Sequence, residues 1–467
     1  MEQRELQQIL AAALQYGAGF AEIFIEQKES TAISCEDSKI EKINTGIDCG
    51  MGIRVVAGES TSYVHSNVIT LSNGLEMATL AGKIADEQQE TVSVTEFQAE
   101  QTQYQQPILM HPGQISFDDK IALIRTADCA ARDYDSAITQ VTIGYSDTIQ
   151  HVQIANSNGV CTEEDRIHVR FACNSIAQRD GVTQTGFSSV GGTCGFELFD
   201  EKSAKTIGIE SAERAMVLLS AELCPIGQMP VVLSGEAGGT MVHEACGHGL
   251  EGDLVYKGLS AYVGKLGEKV ASEKVTVVDD ATIAGKYGSY MCDDEGTPAQ
   301  KTILIENGIL KQYMNDLQTA ERLGAMPTGN GRRESYRDKP ITRMSNTYIA
   351  PGTDCVEDII ASVDFGLFVK RMGGGQVNTL NGDYVFDVTE GYLIEHGKIT
   401  RPVRGATLAG NGPESLRNVE MVGNDFGYAI GTCGKGGQRV LVADAQPTLK
   451  ILGLTVGGAG TEKRTEK

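Results

Sequence analysis

Glycine constrains the fold of this 467-residue chain more than any other residue type, because 55 of its residues are glycine. Glycine adopts positive φ and lets backbones approach closely, so it concentrates at turns and tight contacts. Between the glycines, short runs that alternate apolar and polar residues, such as AEIFIEQKES and GMGIRVVAGES, are typical of antiparallel strands joined by hairpins. We therefore expect a strand-rich protein of the α+β class.

Two domains are predicted, an N-terminal α+β domain over 1–223 and a C-terminal domain over 224–467. In the first domain, helical periodicity alternates with strand-like runs, so the order helix, meander, helix occurs twice. The predicted helices cover 2–16, 73–88, 116–132 and 201–223. Residues 89–115 are polar and predict a long connection, and 460–467 predict a frayed tail.

The C-terminal domain is predicted to be rich in strands and hairpins and to carry a metal-site helix. LIENGIL (304–310) and LIEHGKI (393–399) are near-copies, and each has a two-residue turn typical of a β-hairpin. His396 takes the turn position that Asn307 takes in the sister segment, so we interpret it as a turn residue. A short strand over 229–235 and a helix over 236–253 are expected.

Charge and cysteine content limit the classes of function. The net charge of −22 disfavours direct binding to nucleic acid. No apolar run reaches the roughly 18 residues of a membrane span, and the polar start MEQRELQQIL predicts no secretory signal. The 11 cysteines are odd in number and lack C-x-x-C pairs, which indicates a reducing compartment. We therefore expect a cytoplasmic protein.

The segment His243-Glu244-Ala245-Cys246-Gly247-His248 is the strongest candidate for chemistry. Two imidazoles can hold a divalent metal, and an adjacent carboxylate can take a proton from water that the metal activates. The imidazoles are five residues apart, however, and in an ideal helix such residues point about 140° apart. We therefore predict a distorted helix, either with a π-bulge or with an interruption at Gly247.

A zinc site with two histidines needs a third protein ligand and an open position for water. Glu251 and Asp253 lie just downstream, although a role in orienting a histidine fits them equally well. The acidic cluster 293–295 is a second candidate. Cys433 is a third, because a thiol in the glycine-rich loop GTCGKGGQ has little packing role and a thiolate binds zinc strongly. Cys246 is the weakest candidate, since its side chain points away from at least one histidine.

Several segments in fixed order resemble the TldD/PmbA family of metalloproteases, whose members were once described as modulators of DNA gyrase. The resemblance covers nearly the whole chain. The segments are KIEKINTGIDCGMGIRVV, HEACGHGLEGD, DDEGTP, TRMSNTYI, GGGQVN, TRPVRGATLAGNG and GTCGKGGQ. Because the chain carries H-E-x-x-x-H, it is similar to the catalytic, TldD-like branch.

The resemblance implies a Zn²⁺ ion held by His243, His248 and Cys433, with Glu244 as the general base. It also implies a substrate of short or unfolded polypeptides, cleaved inside an enclosed dimer cavity. The dimer would be a homodimer, or a heterodimer with a paralogue that lacks the motif. Two other functions remain open: a non-enzymatic regulatory or partner subunit of the gyrase-modulator kind, and a metal hydrolase that acts on something other than peptides.

A basic segment, GRRESYRDKPITRMSN, stands out in this acidic chain. It is either a patch that grips a substrate carboxylate or carbonyl, or a solvated loop balanced by its own acids. Arg343 and Asn346 lie in the family-like part, so we predict that they bind substrate. Gly373-Gly374-Gly375-Gln376 lacks the spacing of a phosphate-binding loop and indicates a tight turn or a close backbone approach.

Overall fold

The computed structural model describes residues 1–85, 92–98 and 108–458. Helices and extensive sheets are both present, which confirms the α+β class. Part of the polar connection predicted over 89–115, the end of the helix predicted over 73–88 and the tail predicted over 460–467 lie outside the described residues. Within the described residues, no helix combines the length and apolar character needed to cross a membrane.

The first half of the chain forms one six-stranded antiparallel sheet with strand order β3-β2-β1-β4-β5-β6. Its elements are α1 (Gln3–Leu14), β1 (Phe20–Glu36), β2 (Lys39–Ala57), β3 (Ser60–Ser66), α2 (Leu71–Ala85), α3 (Phe117–Arg132), β4 (Ile138–Asn156), β5 (Cys161–Arg179), β6 (Val182–Gly192), α4 (Leu198–Glu201) and α5 (Ala204–Ser220). The predicted order of helix, meander and helix does occur twice, and each meander has three strands. Pairing between β1 and β4 joins the two units into one sheet.

Capping residues set where the helices of this half begin. The hydroxyl of Ser116 accepts a hydrogen bond from the amide of Asp119 at 3.1 Å, as the sequence of this segment predicts. Ser203 caps α5 in the same way through the amide of Thr206. The helices bury their apolar stripes in two separate clusters against the sheet, one under α1 and α2 and the other under α3 and α5.

The second half is built mainly from a six-stranded sheet and an eight-stranded sheet, which pack around an extended hydrophobic core. Its elements are β7 (Glu222–Leu223), β8 (Gly227–Leu233), α6 (Thr240–Val242), α7 (Gly252–Tyr256), β9 (Val277–Asp280), β10 (Lys301–Glu306), β11 (Ile309–Leu310), α8 (Leu317–Leu323), β12 (Gly331–Arg332), β13 (Ile341–Thr342), β14 (Asn346–Ile349), α9 (Val356–Ala361), β15 (Phe365–Asn378), β16 (Asp383–Glu395), β17 (Lys398–Arg404), β18 (Ala406–Asn411), α10 (Gly412–Arg417), β19 (Val419–Val422), β20 (Gly427–Lys435), β21 (Gln438–Gln446) and β22 (Leu449–Gly458). The division of the chain at residue 224 into two domains stays a prediction.

Strand order places β20 at an open edge. One sheet runs β11-β10-β9-β14-β21-β20, so β20 pairs with β21 on one side only. The other sheet runs β15-β8-β22-β18-β16-β17-β7. In β15, only residues 367–369 pair with β8. Edge strands leave backbone amides and carbonyls free to bind another chain.

Both predicted hairpin turns are confirmed. Asn307 and His396 have φ of 48° and 51°, and the glycine after each also has positive φ. These turns connect β10 to β11 and β16 to β17. His396 is thus a turn residue, as its match to Asn307 predicts.

Buried ion pairs connect the first sheet to the second half of the chain. The guanidinium of Arg54 on β2 lies 2.7 Å from Glu22 and 2.5 Å from Glu295. Arg333 pairs with Glu22 as well, and Arg166 on β5 pairs with Asp294. These side chains are at least nine-tenths buried, so each charge depends on its partners in place of water.

Replacing Arg54 by Met should therefore destabilise the protein strongly, because Glu22 and Glu295 would lose a buried cation. We expect the free energy of unfolding to fall by about 3–5 kcal/mol, measured by urea denaturation. Arg179→Met is the matched control: it removes a pair with Asp135 in which Arg179 is 53% exposed, and should cost at most about 1 kcal/mol. Equal effects of the two substitutions would contradict a structural role for the buried cluster.

Candidate metal centre

The H-E-x-x-x-H segment forms a single π-helical turn. Helix α6 runs directly into this turn, which spans His243–Gly247, and the amide of His248 donates to the carbonyl of His243. A hydrogen bond between residues five apart defines the π-helix, which brings such residues onto one face. The predicted distortion is confirmed, and the π-bulge is the route taken. The two imidazole rings lie 4.9 Å apart between centroids, at an angle of 88°.

Gly247 allows close packing, and its backbone angles are ordinary. Its φ of −52° and ψ of −59° are ordinary helical values, so Gly247 does not take the unusual backbone angle that we considered, although the π-turn ends at this residue. A Cβ at this position would lie 2.3 Å from the sulfur of Met344. Glycine is favoured here because any larger residue would have to displace the side chain of Met344, which leads into β14.

A single helix over 236–253 is also wrong. Residues 235–237 form a 3₁₀ turn, Gly238 has φ of 70°, and the chain then passes through α6, the π-turn, a second 3₁₀ turn and α7. Gly238 separates the first turn from α6, because positive φ ends a right-handed helix. Glu251, in an extended conformation, separates the second turn from α7.

Cys433 meets both histidines from the far end of the sequence. Its sulfur lies 3.1 Å from Nε2 of His243 and 3.4 Å from Nε2 of His248. Cys433 belongs to the edge strand β20 and is buried, with 5% of its surface exposed. Among the described residues, these three form the group whose donor atoms are close enough to share one metal ion, all within 4.8 Å of one another.

A carboxylate behind each imidazole fixes its orientation. Nδ1 of His243 lies 2.8 Å from Asp444, and Nδ1 of His248 lies 2.9 Å from Glu251. A carboxylate accepts the Nδ1 proton, so Nε2 of each ring is the atom presented to Cys433. Glu251 thus orients a histidine, which was one of its two predicted roles. Sequence reasoning missed Asp444, whose signal was a lone acid within the apolar strand LVADAQ.

The charges of the site favour a thiolate at Cys433. Burial alone would raise the pKa of this thiol, but the neighbouring His243 and His248 lower it to about 5. Burial lowers the pKa of His248, but Glu251 and Cys433 raise it by more, so the pKa is about 9. Glu251 in turn has a pKa lowered to about 2, because Lys435 and His248 overcome its burial. A thiolate is the form in which cysteine binds metals.

Glu244 has the freedom that a proton carrier needs. Its side chain is half-buried and lines the same cavity as the two histidines. No described residue donates a hydrogen bond to its carboxylate. Burial raises the pKa of Glu244, although His243 and His248 oppose the shift. A carboxylate beside both imidazoles and without a donor among the described residues fits a group that accepts a proton from water.

The other candidate ligands are engaged elsewhere. Asp253 forms an ion pair with Lys435 at 2.5 Å. The acidic cluster 293–295 lies in the buried ion pairs that join the two halves of the chain. Cys246 is fully buried and its thiol points to the carbonyl of Val242, as expected for the weakest candidate.

Arg343 and Asn346 do not sit where substrate-binding residues should. Both side chains are fully buried, and neither lines the cavity. Arg343 donates to the carbonyl of Cys433 at 2.6 Å and to that of Gln438 at 3.3 Å. Asn346 bonds to the carbonyl of Asp280. The motif-based assignment overlooked that an arginine can act on its own chain: Arg343 holds the hairpin that carries Cys433.

The other cations of the basic segment divide between the interior and the surface. Arg332 donates to the carbonyls of Met344 and Leu441, and Arg333 belongs to the buried ion pairs. Arg337, which pairs with Asp48, and Lys339 are exposed. The segment is therefore neither one substrate patch nor wholly a solvated loop, because tertiary contacts take part of its cations into the interior.

A cavity of about 1330 Å³ opens beside the candidate metal centre. Its walls come from β6 of the first sheet, β15, β20 and the π-turn. The predicted close approach at Gly373–Gln376 is found: a Cβ at Gly375 would lie 2.2 Å from the ring of Phe386 and 3.4 Å from Cγ of Glu244. The glycine-rich part of β15 thus lies beside the carboxylate.

Comparison with known proteins identifies the family. The chain matches the PmbA/TldA metallopeptidase domain 1 over residues 21–85, the central domain over 111–219 and the C-terminal domain over 226–458. A metalloprotease TldD homolog of Haemophilus influenzae is 38% identical over 447 residues, which cover 94% of this chain and 93% of the relative.

Two further proteins extend the comparison. A metalloprotease of Methanocaldococcus jannaschii is 37% identical over 429 residues, which cover 91% of this chain and 94% of the relative. A crystal structure from Thermotoga maritima, which bears the name of a modulator of a DNA gyrase, has a TM-score of 0.79 at 22% identity and covers 97% of this chain and 99% of that one. The last match shows a common fold. With nearly complete coverage by relatives above 30% identity, the chain belongs to the PmbA/TldD family of metallopeptidases.

Proposed function

We propose that this protein is a zinc-dependent peptidase that hydrolyses short or unfolded polypeptides. The observation that carries the proposal is the convergence of two imidazole Nε2 atoms and one cysteine sulfur at the wall of a large cavity, beside a carboxylate to which no described residue donates a hydrogen bond. The names of the relatives, which are metalloproteases, support the reaction class.

The residues fit a zinc ion. Zinc binds imidazole nitrogen and thiolate sulfur, and a catalytic site uses three protein ligands with one open position. His243, His248 and Cys433 would supply those three donors, and all three residues line the cavity. Two imidazoles and one thiolate favour zinc over magnesium, calcium or manganese, which prefer oxygen ligands. The Nδ1 contacts to Asp444 and Glu251 complete the pattern usual for metal-binding histidines.

When bound, the metal supplies a Lewis acid that polarises a carbonyl and lowers the pKa of water. The protein's own part in the reaction falls to Glu244. Its carboxylate takes the proton of the attacking water and later delivers it to the leaving amine. Asp444 and Glu251 hold the imidazoles in place during both steps. Arg343 fixes the backbone at Cys433, so all of these groups keep their positions while the substrate changes.

The edge strand β20 suits a peptide substrate. An extended chain can add to a sheet edge through main-chain hydrogen bonds, which give affinity without strong sequence preference. Residues 428–435 of β20 line the cavity, and the strand leads directly to Cys433. A peptide paired with β20 would therefore pass the candidate metal centre. Folded proteins could not present a free strand there, which supports short or unfolded substrates.

We further propose that the protein works in the cytoplasm as a dimer, with itself or with a paralogue that lacks the motif. All 11 cysteines are free thiols, which agrees with a reducing compartment. A purely regulatory role, of the gyrase-modulator kind, is the second candidate function. A regulatory role does not explain why three metal donors converge beside the carboxylate of Glu244, so we place this function second.

Replacing Glu244 by Gln should separate catalysis from metal binding. The amide keeps the size of the side chain but takes no proton, so peptide cleavage should fall about 10²–10⁴-fold. Zinc content, measured by mass spectrometry of the metal, should stay at the wild-type value, because Glu244 is not one of the three donors. Full cleavage by the zinc-loaded variant would refute its role as the base.

Replacing Cys433 by Ser should lower zinc affinity, because a hydroxyl does not ionise near neutral pH and binds zinc poorly. We expect a loss of at least about tenfold in a competition assay with a chromogenic chelator. Cys246→Ala is the matched control, as this thiol lies in the same turn but points to the carbonyl of Val242. Equal zinc affinity in the two variants would exclude Cys433 as a ligand.

Removing the metal should distinguish the three candidate functions. We expect a chelator to abolish cleavage of an unfolded peptide, and added zinc to restore it, because the metal would supply the Lewis acid that polarises the carbonyl. Cleavage that resists the chelator despite complete loss of metal would contradict a metallopeptidase. Zinc binding without cleavage of any unfolded peptide would favour the regulatory subunit or a hydrolase with another substrate.

A further inference from the structure

One cation in the cavity wall has no carboxylate partner. The wall contains five Lys and Arg residues and four Asp and Glu residues, so it is not acidic although the whole chain carries a net charge of −22. Four of the five cations form ion pairs, namely Lys202, Arg214, Arg371 and Lys435. Lys286 forms none with any carboxylate of the described residues. In a chain with 62 acidic side chains, such a cation is left available for a ligand.

The backbone of Lys286 is held firmly. Its carbonyl accepts hydrogen bonds from the hydroxyl of Thr193 at 2.8 Å and from the amide of Ser289 at 3.0 Å. The next residue, Tyr287, is buried and packs edge-to-face on His168, with 5.9 Å between ring centroids. Lys286 is therefore an anchored residue, unlike a lysine on a free surface loop.

Its ammonium group lies over the edge strand. Nζ of Lys286 is 4.3 Å from the centre of the Tyr428 ring, a distance typical of a cation–π contact. That contact directs the side chain but satisfies none of its three N–H donors with an oxygen. Tyr428 lies on β20, five residues before Cys433. Five residues of extended strand span about 17 Å, so Tyr428 lies about that far along β20 from Cys433, and the odd number of steps turns the two side chains to opposite faces of the strand.

We propose that Lys286 is a specificity-determining residue that binds a carboxylate of the peptide substrate about five residues from the bond that is cleaved. The inference rests on the proposed peptidase function and on the peptide lying along β20. A peptide antiparallel to β20 places its C-terminal end at Tyr428, where its terminal carboxylate meets Lys286. An acidic side chain at the same position offers the same chemistry.

Cleavage of an unstructured dodecapeptide, prepared as the free acid and as the C-terminal amide, tests the proposal. We expect the wild-type protein to prefer the free acid by about tenfold in kcat/KM, mainly through KM, because a hydrogen bond between charged groups would be lost with the amide. Mass spectrometry should place the cut about five residues from the terminus, and the cut should move with the terminus when the peptide is lengthened.

Variants assign the preference to the charge of Lys286. Lys286→Met keeps the length of the side chain and should bring the ratio of acid to amide close to one. Lys286→Arg keeps the charge and should retain the preference. Lys205→Met, an exposed lysine of α5 outside the cavity, is the control and should behave as wild type. An undiminished preference in Lys286→Met would overturn the proposal.

A third peptide distinguishes the two sources of the carboxylate. It is an amide with a single Glu about five residues beyond the expected cut. If the amide with Glu is cleaved better than the plain amide, Lys286 binds an acidic side chain. If only the free acid is cleaved better than the plain amide, Lys286 binds the terminal carboxylate. No difference among the three peptides in the wild-type protein would refute both forms.

A binding measurement separates failure of this inference from failure of the proposed function. Fluorescence anisotropy with the Glu244→Gln protein reports peptide affinity without turnover. Tighter binding of the free acid, lost when Lys286→Met is added, supports the carboxylate site even if the wild type cleaves nothing. Cleavage without any carboxylate preference in binding or kcat/KM leaves the peptidase function intact and overturns the role of Lys286.

Discussion

The structure of the candidate site depends on the π-turn that lets two histidines five residues apart face the same thiol. Without the extra residue in this turn, His243 and His248 would point to different sides of the helix. With it, both Nε2 atoms lie within 3.4 Å of the sulfur of Cys433. The turn packs tightly, since a side chain at Gly247 would displace that of Met344. It is thus part of the packed interior.

A second layer of polar contacts keeps this geometry. Asp444 and Glu251 orient the imidazoles, Lys435 balances the charge of Glu251 at 3.0 Å, and Arg343 ties down the backbone of Cys433. These groups are at least about nine-tenths buried, so removing one would leave its partner unpaired in a medium of low dielectric. On a larger scale, the ion pairs of Arg54, Arg166 and Arg333 fix the first sheet against the second half. The cavity depends on them because β6 forms one of its walls.

Local sequence signals predicted local structure well. The caps at Ser116 and the turns at Asn307 and His396 follow from residue chemistry that acts within a few positions, and all are found. The need for a distorted helix also follows from spacing alone. Sequence signals were less informative where the outcome depends on distant residues. The helix predicted over 236–253 is broken into short turns, and Arg343, whose binding of substrate stays a prediction, donates to the carbonyl of Cys433.

By itself, the sequence determined the fold class, the donor atoms available for a metal and the requirement that His243 and His248 be brought together by a non-ideal turn. These properties are set by residue type and by spacing of a few residues. Only the tertiary structure decided that Cys433 lies against both histidines, that Asp444 stands behind one of them and that Lys286, which has no carboxylate partner among the described residues, lies over the ring of Tyr428. Such contacts join residues up to about 200 positions apart, so the packing of whole sheets, and not local propensity, sets them.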